Sequence, residues 1–216
     1  MTKSSPTRQA ILSRIRGPHA STTLELAAVE YAEIPRDYIR AGTLDAAHRL
    51  DMFQERLEEY DARVHRVTEA ALPAVIAACI RERGAKNIAI PAGLAQHWLP
   101  TTIRFTEADH FSNLELDKFD GILSVCTVAV ALTGTIVLQN VPGQGPRKLS
   151  LIPDYHLCVV YENQIVETVS EAFDRLAASS TLPTTFISGP SATADIEMTR
   201  IKGVHGPRFL DVLIVN

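Results

Sequence analysis

FDGILSVCTVAVALTGTIVLQNVPGQGPRKLSLIPDYHLCVVYENQIV, residues 119–166, holds three nearly unbroken apolar runs at 121–130, 134–139 and 156–161. Runs so rich in Val, Ile and Leu, without polar alternation, predict strands buried on both faces. Thr133-Gly134 punctuates the first pair, and NVPGQGPRK (140–148) separates the second run from the third.

Working outward, the flanks alternate helix with strand. TEAALPAVIAACIRERGAKNIAIP (68–91) predicts a helix with Pro73 in its first turn, where the missing N–H costs nothing, and Gly84 as its C-terminal cap. A short buried strand over 87–91 follows, then a short helix in PAGLAQHWLP (91–100) and a strand in TIRF (102–105). Downstream, NQIVETVSEAFDRLAAS (163–179) predicts an amphipathic helix with Ile165, Val169, Phe173 and Leu176 on one stripe. TTFISG (184–189) reads as a strand, a helix is expected to start near residues 193–195, and FLDVLIV (209–215) closes the chain as a strand. Such alternation indicates an α/β fold, a mostly parallel sheet with helices on both faces.

Before this lies a helical N-terminal arm over 1–43, with a short basic helix at 7–16, that is expected to gain order only against the body of the protein or a partner subunit. Residues 44–216 form a single α/β domain that begins with an amphipathic helix over 44–67. There Leu50, Phe53, Leu57, Tyr60 and Val64 recur at helical spacing, and His48 and His65 read as solvated helix-face residues.

Composition excludes several classes. Of 216 residues, 46% are hydrophobic and 21% charged, ordinary for a globular protein, and 25 acids against 21 Lys and Arg give a net charge of −4. That balance argues against nucleic-acid binding, which needs a basic face. No run approaches the roughly 20 apolar residues of a membrane span, and the N-terminus lacks a signal-peptide core. A cytoplasmic protein is expected. Cys79, Cys126 and Cys158 are scattered in apolar contexts and read as core residues. Three distant thiols do not make the four-ligand set of a cluster or a Cys₄ zinc site, so no metal is expected in this chain.

Several loops carry chemistry. In SGPSATADIE (188–197), Ser191 or Thr193 could cap a helix with Asp195 in its first turn, at the carboxyl end of a strand where α/β proteins collect ligands. Gly143 and Gly145 expose backbone amides beside Arg147 and Lys148, a grip for a carboxylate, although the phosphate-loop pattern is absent. Thr133, Gly134 and Thr135 could turn a backbone toward a ligand. His156 and His205 could act as bases, the imidazole being the side chain suited to proton transfer near neutral pH.

Taken together, TGTIVL (133–138), GxGxRxxSLxP (143–153) with His156, SGPSxTADIE (188–197) and GVHGP (203–207) resemble the LUD-domain family, specifically its lactate-utilization protein C group, across residues 85–216. The resemblance implies a fold like the NagB/RpiA/CoA-transferase group. It also implies a part in oxidising L-lactate to pyruvate beside partner proteins that carry iron–sulfur clusters. One departure stands out: family members tend to have an acid before TGT, where this chain has Ala131-Leu132. No catalytic residue carries over. The expectation is a small-carboxylate cleft formed by Thr133, Gly134, Thr135, Gly143, Gly145, Arg147, Ser150, His156, Ser191, Thr193, Asp195 and His205, in a chain whose arm suits homo-oligomerisation or docking. Two other readings are a stand-alone enzyme on a CoA thioester or sugar phosphate, for which no central glutamate nucleophile is present, and a non-catalytic carboxylate sensor.

Overall fold

The computed structural model describes residues 6–17, 23–193, 201–203 and 205–216, and of Thr193, Ile201 and Lys202 the backbone alone. The chain divides into two compact units, Met1–Tyr38 and Ile39–Asn216. The first holds α1 (Pro6–Arg16) and α2 (Leu24–Glu33), the latter capped by the Thr23 hydroxyl, which accepts from Leu26 N; neither helix buries a residue.

The second unit contains α3 (Ala46–Glu59), β1 (Arg63–Val67), α4 (Leu72–Glu82), β2 (Asn87–Ile90), β3 (Arg104–Glu107), α5 (Asn113–Leu116), β4 (Gly121–Val125), β5 (Val128–Val130), β6 (Thr135–Gln139), β7 (Tyr155–Tyr161), β8 (Ile165–Val166), α6 (Val169–Leu176), β9 (Thr184–Ser188), β10 (Ala192–Thr193), β11 (Ile201–Lys202) and β12 (Phe209–Val215). Six strands pair in the order β1-β12-β7-β4-β2-β3, every neighbouring pair parallel. No described helix is long and apolar enough to cross a membrane.

Strand alternation sorts the core onto two faces. Leu157 and Val159 of β7, with Leu213 and Val215 of β12, pack against Leu72, Ile76 and Ile80 of α4. The intervening Cys158, Val160, Val212 and Ile214 meet Phe53 and Leu57 of α3. The α/β reading and the helical arm are thus what the molecule has. To them it adds a second sheet, β8-β5-β6-β9, whose Ala129, Ile136 and Ile165 join α3 in covering the second face.

Several boundaries differ from the sequence expectation, each for a local reason. The helix expected over 44–67 stops at Glu59: Asp61 takes a left-handed φ of 66°, and Val64 enters β1, paired with Val212. The expected run over 121–130 is two strands in different sheets. It breaks at Cys126-Thr127, where the Gln164 amide donates to the Cys126 carbonyl (2.7 Å) and Thr127 N donates to Val137 O (2.9 Å). The helix expected over 163–179 starts only at Val169, because Thr168 and Glu171 form a reciprocal cap there. Ile165 is therefore a strand residue, while Val169 and Phe173 face outward. The short helix in 91–100 shrinks to a single 3₁₀ turn, Gln96–Trp98. After Gly189, the expected helix is replaced at Ala192–Thr193 by β10, paired antiparallel with β11; Asp195 lies outside the described residues.

Candidate functional site

A cavity of about 290 Å³ opens between the two sheets, walled by the Arg147–Ser150 turn, His156 of β7, Leu210 of β12, the 186–192 segment that carries β9 into β10, and His205–Pro207. It sits at the amino ends of β7 and β12 and the carboxyl end of β9. The carboxyl end of β9 is where the sequence placed the SGPS loop, and the amino ends of β7 and β12 supply the facing wall. The second sheet supplies the extra wall, so the hollow forms where two sheets diverge rather than at a topological switch point.

Five of the expected residues, Arg147, Ser150, His156, Ser191 and His205, line this one cavity. Arg147 Nη1 donates to Ser150 Oγ (3.1 Å), which in turn donates to Arg147 O (3.2 Å), so a tight turn holds the guanidinium at the wall. Ser191 fixes the opposite loop: its N donates to Pro207 O (2.8 Å) and its Oγ accepts from His205 N (3.1 Å). Arg208, gripping Asp154 through both carboxylate oxygens, anchors the next position and holds the Asp154 carboxyl below the usual carboxylate range. No Asp or Glu stands among the described lining residues.

His156 is the most deeply buried of the five. Its Nε2 lies 2.8 Å from Ser124 Oγ, and both side chains are enclosed. The serine hydroxyl also lies 3.8 Å from Cys158 Sγ, so Ser124 ties the imidazole to the β4–β7 pair. Burial, with a smaller push from the Arg147 charge, lowers the His156 pKa to about 4. The ring is therefore neutral at physiological pH and not a charged ligand clamp.

That shift has a thermodynamic consequence. An unfolded histidine titrates near 6.5, so between pH 6.5 and about 4 the unfolded chain binds a proton that the folded chain refuses. Stability from this group is complete above pH 6.5 and falls as pH drops toward 4. The difference is about 3 kcal/mol at full effect. Denaturant midpoints measured at pH 7 and pH 4.5 should drop steeply for the wild type and clearly less for His156→Gln. Equal slopes would remove His156 from the acid response.

Of the remaining expected residues, the threonines and glycines over 133–145 stand behind the wall. Thr133 Oγ1 and Thr135 Oγ1 are 2.7 Å apart, and Thr135 Oγ1 is 2.7 Å from Ser188 Oγ, its cross-strand partner in β9; only Ser188 reaches the cavity. Gly134 has φ 57°, and a Cβ there would come within 2.9 Å of the Arg56 backbone, so this glycine lets the β5–β6 turn pass α3. Gly143 exchanges backbone hydrogen bonds with Ala92 and Val125, and Gly145 N donates to Val141 O. Both shape the turn that presents Arg147. Lys148 points away and donates to Phe111 O (2.7 Å). Thr193 follows the cavity wall in β10.

Sequence reasoning missed Ser124, Ser188, Phe186 and Gly189. Ser124 had a visible signal, a lone hydroxyl inside an apolar strand. Gly189 combines φ 82° with a Cβ position 2.5 Å from Tyr60 Cβ, so no side chain fits between wall and α3. A second group, His65, Cys79 and Asp211, has ligand atoms within 4.8 Å of one another. Asp211 is already bound by Arg83 and Tyr155, and a guanidinium beside it opposes a dication.

A family model described as the LUD domain matches residues 50–215. The chain belongs to the LUD-domain family. Its LUD domain is similar to "Lactate utilization protein C" of Deinococcus radiodurans, 43% identical over 80% of this chain and 82% of that protein. It is also similar to "Lactate utilization protein C" of an Exiguobacterium species, 28% identical over 87% and 86%. Among solved structures, a DUF162 family protein from Deinococcus radiodurans matches with TM-score 0.71 and 38% identity, covering 81% of this chain and all of that one.

Proposed function

We propose that this LUD-domain protein serves lactate utilisation in the cytoplasm, as the cluster-free component of a system that oxidises L-lactate to pyruvate alongside iron–sulfur partner proteins. The observation that carries the reading is the cavity: one guanidinium, hydroxyls and a neutral imidazole, with no acid among the described lining residues. Such a wall offers hydrogen-bond donors to a small anion and repels none. Arg147 pairs with the ligand carboxylate, and the His156 imidazole and the serine hydroxyls serve the neighbouring oxygen of a 2-hydroxy or 2-oxo acid. The names of the relatives point to the same metabolism.

The cysteines support placing the clusters elsewhere. Cys79 lies in the core on one face of the parallel sheet, Cys126 and Cys158 in the core on the other, and burial pushes all three thiols up, Cys79 to about 11 and Cys158 to about 12. Thiols separated by a sheet do not converge on a cluster, so the residues present do not fit one. The stand-alone transferase reading needs a carboxylate nucleophile at the cavity, which no described lining residue supplies. Deleting the gene should abolish growth on L-lactate as sole carbon source while sparing growth on glucose; undiminished growth on lactate overturns the reading.

A further inference from the structure

Outside the LUD match, which begins at residue 50, the arm has a charge pattern the proposed function does not use. Helix α1, PTRQAILSRIR, carries Arg8, Arg14 and Arg16 and no acid; α2, LELAAVEYAE, carries Glu25, Glu30 and Glu33 and no base. At helical spacing, Ile11, Leu12 and Ile15 form one stripe of α1 with Arg14 and Arg16 to either side. On α2, Leu24, Ala27, Ala28 and Tyr31 form a stripe flanked by Glu25 and Glu30. The stripes are alike in width and opposite in border charge.

Each stripe is open. Ile11 is 53% exposed, Ile15 57% and Leu24 92%, so the two helices do not cover each other within the arm. Arg14, Arg16, Glu25 and Glu30 form no ion pair among the described residues. Short helices that bury nothing lack the tertiary packing from which most helices in proteins draw their stability. An exposed apolar stripe rimmed by charge is the pattern of an interaction surface, and this arm carries both halves of one.

We propose that the arm is a self-complementary dimerisation element: α1 of one chain seats on α2 of a second copy, and α2 on that copy's α1. Two-fold symmetry requires that if one surface meets another, the reverse contact forms as well, and a basic helix beside an acidic one in each chain satisfies this twice. A second copy is the occupant because each border charge finds its opposite there; a uniformly acidic or basic partner would meet one helix and repel the other.

The test is a charge swap on the full-length chain, read as mass in solution by light scattering at micromolar concentration. The wild type should weigh two chains. R14E/R16E makes both helices acidic and E25K/E30K makes both basic, so each variant alone should weigh one chain. Mixed one to one, the two should regain the two-chain mass, and the chain carrying all four changes should dimerise alone. Because the altered side chains are exposed in helices that bury nothing, the melting midpoint of the LUD domain measured on each single-chain variant should be unchanged, which keeps misfolding out of the result. A single-chain wild type, variants that remain dimeric, or a mixture that stays at one chain overturns the proposal, the last by assigning the charges to pairing within one arm. None of these outcomes touches the lactate reading.

Discussion

Asp211→Ala is expected to destabilise the fold by about 3–5 kcal/mol, the usual cost of stripping one partner from a buried ion pair. Asp211 is 1% exposed and Arg83 12%, and the guanidinium binds the carboxylate in this enclosed setting. Tyr155 Oη donates to the same carboxylate at 2.9 Å. Arg83 is further confined by aromatic rings, its guanidinium carbon 4.6 Å from the Phe209 centroid and 5.5 Å from that of Tyr155. Removing the carboxylate strands the Arg83 charge at the end of α4 and the Tyr155 phenol on β7, where water cannot easily reach them. The urea midpoint should fall with the slope unchanged. Asp211→Asn, which keeps hydrogen-bonding atoms and loses the charge, should fall between. A loss below about 1 kcal/mol, the range of the exposed pair Arg66–Asp51, would mean the network contributes little.

Arg147→Ala should leave that midpoint nearly untouched and weaken binding of a small carboxylate roughly 10- to 100-fold, the range of one charge-assisted hydrogen bond. The side chain is exposed and its described polar partner is Ser150, so the fold does not depend on it. Calorimetric titration with L-lactate and with pyruvate reads the effect directly. Arg147→Lys should recover part of the affinity, since it keeps the charge and loses the forked geometry. Affinity unchanged in Arg147→Ala would take the residue out of the cavity's chemistry.

Much of this was legible in the sequence, and the physical reason varies by residue. The runs at 121–125 and 155–161 are continuous because parallel strands are covered on both faces, and that pattern needs no tertiary information. Arg147, His156, Ser191 and His205 were marked by residue type and Ser150 by the family resemblance, and the fold brings them to one hollow. Thr133, Gly134 and Thr135 looked equally chemical and stand one layer back, because a glycine that lets a turn pass a helix reads the same as one that admits a ligand. Ile165 and Val64 fell on helical stripes by spacing, yet pairing with β5 and β12 decided otherwise: tertiary partners override local periodicity. Its β6 and β9 read as strands, but their separate sheet was not legible, because β8 has two residues and the pairings β5–β8 and β6–β9 join distant segments, and with it went the second wall of the cavity.

The place of β12 bears on how the molecule comes to exist. Residues 209–215 lie between β1 and β7, joining segments made some 150 and 50 residues earlier on the chain. During translation, β1 has no strand neighbour until β12 has emerged, and the edges of β1 and β7 that β12 joins stay unpaired until then. Closing it late, by contacts of such long range, makes this a slow step. The nascent polypeptide must therefore be shielded from aggregation until β12 is made.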